Sequence, residues 1–253
     1  MPNKNDFLCP TGNNVIAFCS GKGGVGKTFL AVSLALAFTK KEKKVLLIDG
    51  DLGLPNIDIF LGLSSKKKIS DVLSGSAPLN QAIQSYNGMD LITGSSCTDV
   101  LVNLSKDKIM RMQEDILLLA HNYDTVFIDL GSGLSSDLQV LAHSSAKIII
   151  VCSDELSSLT DAYVIMKKLS EVRNSSEIFI VINNIVSQKE GYEIFDTLLK
   201  ICETNPTLLG IVQKDMRVEE IVQQQKSIFD IFSDMQVSDD ILQIGDRLLC
   251  QKK

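Results

Sequence analysis

Short aliphatic runs alternate along the chain with longer stretches in which apolar positions recur at helical spacing. The runs are NVIAFCS (14–20), KVLLIDGD (44–51), MDLITG (89–94), DTVFIDLG (124–131), KIIIVCS (147–153), EIFIVINN (177–184) and LLGIV (208–212). They are apolar at successive positions rather than at every second one, which is how strands read when both faces of a parallel sheet are covered. Between them the spacing predicts helices over 28–40, 106–121, 135–145, 157–172, 190–203 and 215–225. Alternating β and α elements predict an α/β fold, a single doubly wound, mostly parallel sheet with helices on both faces. Region 52–88 is the least regular, and an insertion after the second strand of such a sheet is a natural place for a switch or a partner surface.

Composition narrows this reading without redirecting it. A chain of 253 residues buries a substantial core without metal or disulfide help, and 45% hydrophobic with 22% charged residues is the balance of a globular protein. No internal repeat, low-complexity tract or linker interrupts it, so one domain is expected. The net charge of -6 argues against a surface built as a whole for nucleic acid. Two basic runs, KKEKK (40–44) and KKK (66–68), read as solvated helix ends or loops. The six cysteines are scattered with no CxxC pair, which suits a reducing compartment. MPNKNDFLCPTGNN at the start has no apolar signal core, and no apolar run approaches the ~18 residues of a membrane span. A cytoplasmic location is expected.

The chemistry is concentrated in CSGKGGVGKTFL (19–30). Gly21, Gly26, Lys27 and Thr28 satisfy G-x-x-x-x-G-K-[ST], placed after the first expected strand and at the start of a helix. Glycines let backbone N–H groups wrap phosphates, the helix N-terminus adds positive potential, Lys27 neutralises phosphate charge, and the Thr28 hydroxyl is a ligand for Mg²⁺. Lys22 is a second lysine that this pattern does not require.

The full string KGGVGKT resembles the deviant Walker A motif of the MinD/ParA branch of P-loop NTPases. The resemblance implies ATP and Mg²⁺ as ligands, a loop of Gly21, Lys22, Gly23, Gly24, Val25, Gly26, Lys27, Thr28 and Phe29 around the nucleotide, and an early lysine that reaches the ATP of a second subunit. A homodimer in the ATP state follows from that. VLLIDGD resembles the family's D-x-D switch, in which Asp51 positions the attacking water and Asp49 belongs to the magnesium shell. VFIDLGSG resembles the Walker B strand and second switch, with Asp129 holding Mg²⁺ through water and the Gly131 amide sensing the γ-phosphate. Asn183, at the end of FIVIN, stands where the family has its adenine-recognising Asn, with Asn184 as the alternative. Lys22, Lys27 and Asp51 are thus the implied catalytic residues, and Thr28, Asp49 and Asp129 the implied metal residues.

GDLGLPNIDIFLGL (50–63), DVLSGS (71–76), SDELSSLTDAYVIMKKLS (153–170) and VINNIVSQKEG (181–191) resemble the flagellar site-determining subgroup, called FlhG, FleN or YlxH. That implies a slowly hydrolysing, partner-activated ATPase that positions a cellular structure, with a protein activator or scaffold. The start of the chain lacks the D-Q-A-x-x-L-R segment through which some of that subgroup activate a GTPase, Phe29 replaces a small polar residue, and SDELSS lacks the prolines that commonly flank the Glu. The expected division is a flexible N-terminus (1–13), a MinD/ParA-type ATPase domain (14–236) and an amphipathic C-terminal helix (237–253). Ile241, Leu242, Ile244, Leu248 and Leu249 give that helix its apolar side. Two readings of it stay open: a helix docked on the core, or a peripheral contact with the inner face of the cell membrane, which its lack of a Lys/Arg excess disfavours. The alternatives in function are a ParA-like partitioning ATPase that binds DNA and, against the absence of CxxC, a metal-cluster carrier.

Overall fold

A computed structural model of the chain describes residues 12–94, 106–133, 142, 145–171, 177–202, 205–227, 229 and 234–250. Strands β1 (Gly12–Ser20), β2 (Val45–Gly50), β3 (Gln84–Tyr86), β4 (Met89–Ile92), β5 (Thr125–Ser132), β6 (Ser145–Cys152), β7 (Ile178–Ile185) and β8 (Thr207–Gln213) form one sheet in the order β3-β4-β2-β5-β1-β6-β7-β8. Every pairing is parallel except the β3–β4 hairpin at one edge. The helices described are α1 (Lys27–Lys40), α2 (Ile57–Leu61), α3 (Ile69–Ser74), α4 (Lys106–Ala120), α5 (Leu156–Ser170), α6 (Gln188–Ile201), α7 (Arg217–Gln223) and α8 (Gln236–Cys250).

Successive strand residues feed two separate cores. Ile16, Phe18, Val45 and Leu47 pack on one face beneath α1 and α8, whereas Val15, Ala17, Leu46 and Ile48 pack on the other beneath α4 and α5. Both sets are apolar because both faces are covered, which is why the strands show no polar alternation. Helix α1 is buried on all sides from Phe29 to Phe38. Its outer side is covered by α8, where a Cβ on Gly245 would lie only 3.5 Å from the Phe38 ring. The C-terminal helix is therefore docked on the core, with Ile241, Ile244 and Leu248 buried and Leu242 and Leu249 partly so; residues 251–253 lie outside the described residues.

The expected elements shift at their ends. β1 starts at Gly12, inside the segment expected to be a flexible terminus, and residues 1–11 lie outside the described residues. Helix α6 starts at Gln188, where the Ser187 hydroxyl accepts the Glu190 N–H at 3.2 Å and caps it. Of the helix expected over 135–145, Ser145 instead opens β6, Ala142 is buried, and the remainder lies outside the described residues. Region 52–88 holds two short α-helices, α2 and α3, a 3₁₀ turn at Leu79–Ala82, and the strand β3 that the pattern missed. QSY at 84–86 is a polar, half-exposed edge strand with no second face to bury. No helix among the described residues is long and apolar enough to cross a membrane.

Candidate functional site

The parallel strands place their C-terminal ends along one edge of the sheet, and the loop Gly21–Gly26 rises from the end of β1 there. Gly24 and Gly26 have φ of 83° and 87°, the left-handed region that side chains with a Cβ enter at a cost. Gly26 is constrained twice, since a Cβ there would lie 2.2 Å from the Asn183 amide nitrogen. At Gly21 a Cβ would lie 2.1 Å from the Cβ of Asp161 in α5, so the loop's first glycine sets its seat against that helix. The loop hands over directly to α1, whose first N–H groups are free to face a ligand.

Beneath the loop the site is carboxylate and cation. β2 and β5 pair so that Asp49 lies beside Asp129, both fully buried. Lys27 Nζ donates to Asp129 Oδ1 at 2.5 Å, and Thr28 Oγ1 donates to Asp129 Oδ2 at 2.6 Å and stands 3.2 Å from Asn56 Oδ1. Burial raises the Asp129 pKa, opposed by the Lys27 charge and by the Lys27 and Thr28 hydrogen bonds. Burial, reinforced by the neighbouring Asp129, also pushes Asp49 up to about 7, opposed by three backbone N–H donors. Those donors are Ile57 and Asn56 at 3.1 Å and Asp51 at 3.2 Å, so Asp49 also caps α2. The Thr28 hydroxyl and two carboxylates are hard oxygen donors of the kind Mg²⁺ takes. Among the described residues there is no cluster of three or more His, Cys, Asp or Glu side chains arranged to hold a metal. Mg²⁺ does not require one, because it keeps several waters and shares its shell with substrate phosphates.

Asp51 sits at the mouth of the site. Its Oδ1 accepts the N–H groups of Gly53 at 3.1 Å and Leu54 at 2.9 Å, and a Cβ on Gly131 would come within 3.1 Å of it. The Asp51 carboxylate therefore lies between the segment that follows β2 and the end of β5. Asp51, the loop from Gly23 to Phe29, and Asn183 line a cleft of about 590 Å³, whereas Gly21, Lys22, Asp49, Asp129 and Gly131 do not reach its lining. Phe29 is mostly a core residue, with its ring 6.4 Å from that of Phe60.

Asn183 is buried, and its amide donates to the Val25 carbonyl at 2.8 Å, tying the end of β7 to the loop. The neighbouring Asn184 has φ of 64°, is exposed and also lines the cleft. The far end of the cleft is made by residues that sequence reasoning did not single out: Gln213 at the end of β8, Lys214 and Asp215 after it, Val218 and Val222 of α7, and Val237 of α8. Nothing in their residue types signals a ligand. Asn56, 3.2 Å from Thr28 Oγ1 and also on the cleft lining, was not singled out either.

Lys22 points elsewhere. Its Nζ forms an ion pair with Glu155, just before α5, and lies 3.3 Å from Ser157 Oγ.

A glycine loop between the central strand of a parallel sheet and a helix, above paired strand-end aspartates, defines a P-loop nucleotide-binding protein. The chain belongs to the CobQ/CobB/MinD/ParA nucleotide-binding domain family, whose model matches residues 16–228. Antiactivator FleN of Pseudomonas aeruginosa is 30% identical over 223 residues, covering 86% of this chain and 80% of that protein. Flagellum site-determining protein YlxH of Helicobacter pylori is 30% identical over 256 residues, covering 98% of this chain and 86% of that one. In fold, the chain matches the Pyrococcus furiosus cell division ATPase MinD with a TM-score of 0.83 at 22% identity, over 95% of this chain and 100% of that chain.

Proposed function

We propose that the cleft binds ATP with Mg²⁺ and that the chain is a slowly hydrolysing ATPase whose ATP state is a homodimer, acting as a positioning switch of the flagellar site-determining type. The arrangement that carries this reading is Lys27 and Thr28 converging on Asp129 directly beneath the glycine loop. With nucleotide bound, Lys27 would turn from the carboxylate to the phosphates, Thr28 and Asp129 would hold Mg²⁺, and Asp49 would support that site while capping α2. The metal supplies charge neutralisation on the phosphates. Loop amides and the start of α1 do the same from the protein side, and Gly131 reports the γ-phosphate to the second switch. Asp51, at the mouth, orients the attacking water. Asn183 or Asn184 meets the base.

The dimeric part of the reading rests on Lys22 and on the surface around it. Lys22 is held by Glu155 at the rim, so its own subunit's loop does not use it for the cleft. Leu54, Leu156, Val186 and Met216 are 78%, 80%, 76% and 73% exposed, and all four lie just beyond the C-terminal ends of strands, on the edge that carries the cleft. A second copy closing over that edge would cover them and draw Lys22 from Glu155 to the partner's phosphates. A protein activator or scaffold is the further partner, and a cytoplasmic setting goes with this reading.

The observations favour neither alternative partner. Lys41 pairs with Asp246 at 2.6 Å, Lys68 pairs with Asp58 at 2.7 Å, and Lys40 and Lys44 lie over Phe229 and Tyr123, so the basic runs are partly neutralised or stacked. Membrane contact through the C-terminal helix would require its apolar side to leave the core.

The test is light scattering and turnover of Asp51→Ala. It binds ATP, runs as a dimer with ATP and a monomer with ADP, and turns over about a hundredfold more slowly than wild type. Undiminished turnover removes Asp51 from the mechanism, and a monomer in both nucleotides removes the switch.

A further inference from the structure

The C-terminal helix carries a buried charge that its docking does not require. Docking is already provided by Ile241, Ile244 and Leu248, by Arg247 donating to the Leu209 carbonyl at 3.0 Å, and by Ile244 packed so close to Gly210 that a Cβ there would meet it at 2.3 Å. Yet Asp240, one turn into the helix, is only 3% exposed. A carboxylate placed there costs desolvation that an apolar residue would avoid, unless its hydrogen bonds serve something specific.

Those bonds converge on the end of β8. Asp240 Oδ2 accepts the backbone N–H of Gln213 at 2.9 Å. Its Oδ1 accepts the side-chain amides of Gln236 at 3.0 Å and Gln188 at 3.3 Å, and Gln188 also reaches the Ile211 carbonyl at 3.2 Å. Gln213 is the last residue of β8 and one of four consecutive residues, Val212 to Asp215, that line the cleft. The next, Lys214, is fixed by its N–H to the Ile185 carbonyl at 2.8 Å, just past Asn183 and Asn184. One carboxylate therefore ties the helix to the strand end that shapes the cleft on the side away from the glycine loop, and Val237 of the same helix lines that side as well.

We infer that Asp240 is a positioning residue for the base end of the cleft: by holding Gln213 it keeps the segment 213–215 where a nucleotide base packs. This rests on the nucleotide reading of the cleft. It deepens that reading by separating base recognition from phosphate recognition, because Asp240 touches neither the glycine loop nor the two buried aspartates.

The experiment compares equilibrium binding of Mg·ATP and of Mg·tripolyphosphate, a probe with the phosphates and no base. The proteins are wild type, Asp240→Asn and Ile244→Ala, at a temperature where circular dichroism shows all three folded. Asn offers one acceptor and one donor where Asp offers two acceptors, so either Gln213 or the two glutamine amides meet a donor instead of an acceptor. ATP affinity of Asp240→Asn falls about tenfold while tripolyphosphate affinity stays within about twofold. Ile244→Ala, which weakens the same helix through packing alone, lowers the melting temperature and leaves the ratio of the two affinities unchanged. A stability loss with an unchanged ratio in Asp240→Asn overturns the inference, as does an equal shift of the ratio in Ile244→Ala. If Asp240→Asn does not fold, Gln236→Ala removes one of the three bonds and shifts the ratio by about two- to threefold, and no shift there overturns it too. Wild type that binds tripolyphosphate as tightly as ATP removes base recognition at this cleft altogether, and wild type that binds neither removes the nucleotide reading itself.

Discussion

The two ends of the cleft are built by different means. At the phosphate end, glycines with positive φ, a lysine, a threonine and two buried aspartates sit in one short loop and on two adjacent strands. At the proposed base end, the lining comes from β7, the end of β8, α7 and α8, as valines and polar residues. A phosphate is a concentrated charge, so only particular residue types and backbone conformations answer it. A base is a flat, mostly apolar surface with a few polar edges, so many residue types fill its pocket and the fold must bring them together.

Lys27→Ala tests the phosphate end most severely. Affinity for ATP and for tripolyphosphate falls together by about a hundredfold or more, as read by isothermal titration, because the lost cation serves both ligands equally. Stability falls as well, by about 3 kcal/mol in chemical denaturation, since Asp129 is left buried without its cation. The pH dependence has a definite sign. Burial already raises the Asp129 pKa, and removing Lys27 raises it further. A carboxyl with a raised folded-state pKa favours the fold at low pH and loses that contribution as pH rises, so the deficit is larger at pH 8 than at pH 5. A variant that loses ATP but keeps tripolyphosphate would break the distinction between the ends.

Glu155→Ala asks where Lys22 belongs. The ion pair is between half-exposed groups, so releasing it changes free energy by at most about 1 kcal/mol. ATP-dependent dimerisation, followed by analytical ultracentrifugation, strengthens by up to about fivefold, and ATP binding at concentrations where the protein is monomeric does not change. Weaker dimerisation in this variant would mean that Glu155 acts across the dimer interface and does not restrain Lys22.

The same contrast explains what could be read from the chain. The strands were legible because burial on both faces leaves continuous aliphatic runs, and the phosphate loop because φ of 87° beside the Asn183 amide admits only glycine at position 26. The proximity of Asp49 and Asp129 is set by parallel pairing, which neither motif shows alone. β3 escaped because a three-residue polar edge strand has no hydrophobic pattern, and α2 is a five-residue helix started by Asp49 accepting N–H groups from Asn56 and Ile57. The partner of Lys22 lies 133 positions away, and Asp240, one of two adjacent aspartates, finds its backbone partner, Gln213, 27 positions away. Of the pair, Asp239 is exposed and Asp240 buried, a difference decided by which one faces the end of β8.

The smallest effect sharpens the comparison furthest. Val218 lines the base end from α7 and is half-buried, so Val218→Ala removes two methyl-sized groups from partial contact with a bound base. At ~0.8 kcal/mol per fully buried carbon, half-burial gives about 0.8 kcal/mol, a threefold to fourfold loss in ATP affinity. Tripolyphosphate affinity does not move, because nothing at the glycine loop has changed. Val218→Ala and Lys27→Ala then differ in pattern as well as in size: the first separates the two ligands and the second does not. A loss shared by both ligands in Val218→Ala would mean that α7 acts on the loop as well, and the cleft would have to be treated as one coupled unit.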